Sequence, residues 1–144
     1  TIDINPDAKL HADRLGLPNL YAIHADSAAV LPALRAAVAG HGLFDVCYVD
    51  GLHNFNQAYG EYTLYRPLVK DGGLFLFDDV ALDIEMETFW EYVADPKVRL
   101  DAMHHTGFGA CVKDPAVRVP SWDAIIHRAT QKILARRSAA GQPA

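Results

Sequence analysis

Four short apolar runs in this chain each carry or run into an aspartate, and helical sequence follows each one. Thr1–Ile4 carries Asp3, Leu20–Ala25 runs into Asp26, Phe44–Val49 into Asp50, and Leu74–Phe77 into Asp78-Asp79. Strand-like runs alternating with helical patterns predict βαβ units and a parallel sheet. Ligands of such a sheet bind outside the carboxyl ends of its strands. The alternation therefore constrains both the fold class and the place where chemistry collects. One acid at a strand end is ordinary, because strand-to-helix loops favour Asp as a cap; four in succession ask for a further reason.

The turn signals agree with this order. Asn5-Pro6-Asp7 opens a helix to about Leu15, stopped by Gly16-Leu17-Pro18-Asn19. Asp26-Ser27 is expected to cap a helix ending at Gly40-His41-Gly42, with Pro32 early enough to be tolerated. The strand from Phe44 is nearly all apolar after Asp45, as expected of a strand covered on both faces. Helical sequence resumes from Phe55 to Leu68, and a Lys70-Asp71-Gly72-Gly73 turn leads into the fourth strand. Ile84–Val93 is amphipathic, with Phe89, Trp90 and Val93 on its core face. Val98–His104 and Phe108–Lys113 flank Thr106-Gly107 as an antiparallel hairpin, and a last helix runs from Ser121 to about Arg137. The small-residue end, residues 138–144, is expected to fray.

Composition narrows the function classes. With 144 residues, 51% of them hydrophobic, the chain makes one domain with a real core. Cys47 and Cys111 are too few and too far apart for a disulfide scaffold or a cysteine zinc site. No apolar run approaches the roughly 18 residues of a membrane span, and no signal-peptide pattern opens the chain, so a cytoplasmic protein is expected. A net charge of -5 argues against a general nucleic-acid binder. From Arg118 onward five basic residues meet one acid, Asp123, which leaves 8 basic against 17 acidic residues in the rest. Such a basic tail reads as a solvated helix face, ahead of contact with a partner.

If the third and fourth strands are neighbours, Asp50 and Asp78-Asp79 end about 4.7–4.9 Å apart. Carboxylates that close repel unless a cation intervenes. A hard ion such as Mg²⁺ takes oxygen ligands and accepts two or three carboxylates. The plainer reading, in which Asp79 caps a loop and Asp50 supports the Gly51 turn, stands beside it. His53, three residues after Asp50, has the imidazole chemistry of a general base near neutrality, of a metal ligand or of a helix cap. His104-His105 read as surface or packing residues. Asp3 and Asp26-Ser27 suit hydrogen bonds to a nucleoside, Asp3 at a ribose and Asp26 at an adenine amino group. No G-x-G-x-x-G run occurs.

In this order the segments resemble the class I S-adenosylmethionine-dependent methyltransferases, and within them the metal-dependent small-molecule O-methyltransferases. The segment Thr1-Ile2-Asp3-Ile4-Asn5-Pro6-Asp7 is similar to the family's second strand, and Ala25-Asp26-Ser27 with Leu31-Pro32-Ala33-Leu34 to its adenine-side segment. Phe44-Asp45-Val46-Cys47-Tyr48-Val49-Asp50-Gly51 is similar to its fourth strand, and Leu68 through Asp79 to its fifth. His53 falls where catechol-type enzymes carry a catalytic Lys, and an Asp-Gly-x-His pattern is found in bacterial sugar and antibiotic methyltransferases.

The resemblance implies a Rossmann-like α/β fold: a mostly parallel sheet with helices on both faces and a C-terminal antiparallel hairpin. Residues 1–117 would form a partial methyltransferase domain, entered at its second strand without the glycine-rich donor loop, and residues 118–144 a basic helix and tail. It implies S-adenosylmethionine bound by Asp3, Asp26 and Ser27, and Mg²⁺ bound by Asp50, Asp78 and Asp79. His53 with Asp50 would be catalytic, Tyr48 and Phe55 would wall the pocket, and a small hydroxylated metabolite would be the acceptor. A homodimer is compatible with it. Three other readings are a metal-independent methyltransferase with His53 as base, a non-catalytic Rossmann-like interaction domain, and a phosphoacceptor receiver domain. The last is disfavoured because Asp50 precedes the acid pair.

Overall fold

A computed structural model describes residues 1–102 and 104–142. Met103, in the expected hairpin, and Pro143-Ala144, in the expected frayed end, lie outside the described residues. The chain divides into two compact units, Thr1–Gly42 and Leu43–Ala144.

In the first unit, strands β1 (Ile2–Asp3) and β2 (Ile23–His24) pair in parallel, with Ile2 opposite Ile23 and Asp3 opposite His24. Helix α1 (Pro6–Leu15) joins them. Asn5 caps it by accepting from the Asp7 amide at 3.0 Å, and Gly16 ends it in the left-handed region. The expected second strand shrinks to two residues. The helix expected after Asp26-Ser27 also starts later, as α2 (Leu31–His41). Asp26 Oδ1 accepts from the amides of Ala28 and Ala29, holding residues 27–30 in turns. Pro32 then sits in the first turn of α2, where its missing N–H costs nothing.

The second unit holds a four-stranded sheet in the order β3 (Phe44–Val49), β4 (Val69–Phe77), β6 (Gly109–Val112), β5 (Lys97–Arg99). β3 and β4 are parallel, and β6 runs against both β4 and β5. The hairpin is therefore folded so that its second strand inserts beside β4 and its first strand lies outermost. β5 consequently points the same way as β3 and β4. The expected Lys70–Gly73 turn is instead an irregular stretch of β4: the register with β3 shifts between Phe44 and Val46, while Gly72 and Gly73 bond with Lys113 of the chain after β6. Two backbone bonds to a neighbouring segment hold as strand what the Gly-Gly pair alone would leave as turn.

Helices α3 (Phe55–Tyr65), α4 (Ile84–Tyr92) and α5 (Trp122–Ala139) pack on one another. The core is aromatic. Phe75 and Phe77 project from one face of β4 against Tyr62, Phe89 and Trp90, with ring centroids 5.1–6.2 Å apart. Burial of each such side chain stabilises by about 1.5–3 kcal/mol. Phe89, Trp90 and Val93 are buried as the helical pattern of 84–93 predicts. β3 departs from its expectation. It is an edge strand, and Val46 and Tyr48 are 49% and 53% exposed. Its apolar composition does not report double burial.

Asp83 caps α4 through the Met86 amide (2.9 Å), and Lys97 Nζ closes the other end on the carbonyls of Trp90, Glu91 and Val93. Three of the four Lys and Arg residues of α5 are paired as well as partly solvated. Lys132 and Arg136 meet Glu91, and Arg137 Nη2 meets Glu85 Oε1 at 2.6 Å. The acidic face of α4 thus accounts for much of the basic tail.

Candidate functional site

At the carboxyl end of β3, Asp50 begins a four-residue loop, and Asn54 caps α3 by accepting from the Gln57 amide (2.9 Å). His53 is held at the mouth of that helix. At the carboxyl end of β4, the Asp78 amide donates to the Val49 carbonyl (3.1 Å), which brings Asp78 alongside Asp50. Asp79 follows with φ +56°, a left-handed conformation that a non-glycine residue seldom adopts. The loop after β5 closes over this corner: the Thr106 and Gly107 carbonyls accept from the Ala81 and Val80 amides at 2.7 and 3.1 Å. Gly107 makes that approach at φ +81°; a Cβ there would lie 2.9 Å from the Ala81 Cβ.

The side chains form one connected group. His53 Nδ1 lies 3.1 Å from Asp79 Oδ2, and His53 Nε2 lies 3.4 Å from Asp50 Oδ1. That second contact lacks hydrogen-bond geometry, so Nε2 is buried without a hydrogen-bond partner. A buried polar atom left in that state is uncommon and marks a position where function is worth seeking. His104 Nδ1 lies 3.5 Å from Asp78 Oδ1 and 3.3 Å from Asp79 Oδ1, and the Thr106 hydroxyl contacts Asp79 Oδ1 and His104 Nδ1. Tyr48 donates its hydroxyl to Asp78 Oδ2 at 3.2 Å. Its phenol is pushed up to about 12, by burial first and then by the negative charges of Asp50, Asp78 and Asp79. The corner is electronegative.

Asp78, Asp79 and His104 offer ligand atoms that all lie within 4.8 Å of one another. Asp50 stands beside His53 rather than in that trio. Phe55 is not a pocket wall: it is 1% exposed and stacked on Tyr59, because it opens α3 on the core side. Tyr48 does border the site. Both cysteine thiols are pushed up to about 12, chiefly by burial, and are poor nucleophiles.

Sequence alone reads His104 as a surface or packing residue and Thr106 as part of a turn. The signal that finds them is topological. β5 runs parallel to β3 and β4, so the loop after it obeys the same strand-end rule as Asp50 and Asp78. In the first unit, Asp3 and Asp26 lie at the carboxyl ends of the parallel pair β1 and β2. The Ala25 amide donates to the Asp3 carbonyl (3.0 Å), and Asp3 Oδ1 accepts from the Asn5 amide (2.7 Å). Ser27 follows, half-buried, in the turn held by Asp26.

No helix among the described residues is long and apolar enough to cross a membrane. A comparison with curated proteins gave no match. Residues 1–80, more than half the chain, match the family described as "Methyltransferase domain". Its match runs from the strand carrying Asp3 through the acid pair that ends β4. The chain belongs to this methyltransferase family.

Proposed function

We propose that the chain takes part in methyl transfer from S-adenosylmethionine to a hydroxyl of a small molecule, assisted by a divalent cation. The observation that carries this reading is the placement of Asp79, whose two oxygens face different partners. Oδ2 faces His53 Nδ1, and Oδ1 faces His104 and lies within the trio. One carboxylate thus links a prospective base to a prospective cation site.

A donor set of two carboxylates with a third ligand atom fits a divalent ion, and Asp50 lies one residue past the strand paired with β4. Asp50, Asp78 and Asp79 would hold it, with Mg²⁺ the ion expected of oxygen donors. Such an ion supplies Lewis-acid stabilisation of the charge developing on the acceptor oxygen, worth several kcal/mol. His53 would take the hydroxyl proton, with Asp79 Oδ2, 3.1 Å from its Nδ1, orienting the ring. The O–C bond forms as the C–S bond of the sulfonium breaks, leaving the thioether. Asp3 would accept from the ribose hydroxyls of the donor, with Asp26 and Ser27 at its adenine end. Tyr48 borders the acceptor position.

Titration calorimetry of the full chain with S-adenosylhomocysteine tests the donor half, and absence of binding overturns it. Labelled methyl transfer onto a panel of catechols and sugars tests the rest. His53→Gln should lower kcat by about 10²–10⁴, and EDTA should abolish turnover. Activity that survives EDTA but not His53→Gln would favour the metal-independent reading.

A further inference from the structure

We infer that His104, on the loop after β5, is a nitrogen ligand of the cation site, and that the site prefers a first-row transition ion such as Mn²⁺ to Mg²⁺. This rests on the proposed cation site and refines which residues and which ion it uses. His104 Nδ1 lies 3.3 Å from Asp79 Oδ1 and 3.5 Å from Asp78 Oδ1. Ligands held about 2.0–2.1 Å from one ion are separated by about 3.0 Å at octahedral and 3.3 Å at tetrahedral edges. The spacing already present between imidazole and carboxylates is thus close to that of two ligands sharing an ion. Simple ion pairing would need only one of the two carboxylates.

The loop is also held for the task. The Thr106 hydroxyl bonds Asp79 Oδ1 and contacts His104 Nδ1, and the Thr106 and Gly107 carbonyls take the Ala81 and Val80 amides. These bonds anchor the His104 loop to the segment that carries Asp78 and Asp79. An imidazole donor changes selectivity. Mg²⁺ keeps oxygen ligands and water, whereas imidazole suits Mn²⁺ and the later first-row ions progressively better.

The test uses the full chain with Mn²⁺ or Mg²⁺ as the probe. Calorimetry should show Mn²⁺ bound at least about tenfold more tightly than Mg²⁺. Pulsed electron paramagnetic resonance of bound Mn²⁺ should show coupling to an imidazole nitrogen. His104→Ala should remove that coupling and weaken Mn²⁺ by about tenfold or more, while changing Mg²⁺ affinity less than about threefold. His53→Gln should retain the coupling. If neither ion binds, the cation site itself is wrong and the inference falls with it. If Mg²⁺ binds as well as Mn²⁺ and no nitrogen coupling appears, the site stands and the role of His104 is refuted. Coupling lost in His53→Gln but kept in His104→Ala also refutes it, assigning the ligand to His53.

Discussion

Substitution Asp95→Asn perturbs the buried ion pair between Asp95 and Arg66. Asp95 is 1% exposed and accepts from four donors. Oδ2 takes Tyr62 Oη at 2.6 Å and Arg66 Nε at 2.8 Å; Oδ1 takes Arg66 Nη2 at 2.9 Å and the Asp114 amide at 3.0 Å. Asn preserves the shape but keeps one acceptor oxygen, so its amide N–H₂ group opposes two donors. Loss of two charge-assisted bonds at about 1.5–3 kcal/mol each, with a guanidinium left under-compensated, predicts a cost of about 3–5 kcal/mol. With a urea slope of about 1–3 kcal/mol/M for a small protein, the midpoint of urea unfolding at pH 7 should fall by more than 1 M.

The pH dependence gives a second arm. Burial alone would raise the Asp95 carboxyl, but the Arg66 and Tyr62 hydrogen bonds outweigh it and hold the group below its ordinary value. A carboxyl depressed on folding contributes stability that is fully present above its unfolded value, about 3.9, and lost as pH falls through the folded one. The difference between wild type and Asp95→Asn should therefore be constant from pH 7 to about 5 and shrink below about 4. A cost under 1 kcal/mol at pH 7, or a difference that grows in acid, would contradict a buried, charge-paired Asp95. The network also ties α3 to the chain on both sides of the hairpin, at Asp95 and Asp114, so the variant should bind Mn²⁺ more weakly as well.

Two further outcomes follow from the packing. Gly109→Ala should destabilise by about 1–3 kcal/mol, because a Cβ there would lie 2.7 Å from the Trp90 ring and 2.9 Å from Val80; a changed near-ultraviolet signal of Trp90 checks it, and an unaltered spectrum and stability would count against so close an approach of Trp90 to Gly109. Glu91→Gln should cost less than about 1 kcal/mol despite its pairs with Lys132 and Arg136, because the side chain is 40% exposed; the loss should fade in 1 M salt, and a large salt-independent loss would contradict a surface pairing.

Local sequence accounts for the alternation of strands and helices, several of the caps, and the acids at strand ends. These are local properties: Asn5, Asn54 and Asp83 accept from amides two or three residues away, and Asp50 and Asp78 follow the last residues of β3 and β4. Local signals failed where a distant segment competed. Lys70–Gly73 reads as a turn, yet it is strand because Lys113 bonds it; Phe55 reads as a pocket residue, yet Tyr59 and Tyr92 bury it. The basic tail reads as solvated until the acids of α4 are set beside it.

Which residues join the acid pair depends on non-local strand pairing. The insertion of β6 between β4 and β5 aligns β5 with the parallel strands and brings His104 and Thr106 to a corner begun more than fifty residues earlier at Asp50. Hydrophobic periodicity cannot express that choice, because a hairpin folded in either order has the same pattern along the chain. What selects it is the non-local pairing of Gly109–Val112 with Leu74–Phe77 and the burial of Gly109 under Trp90.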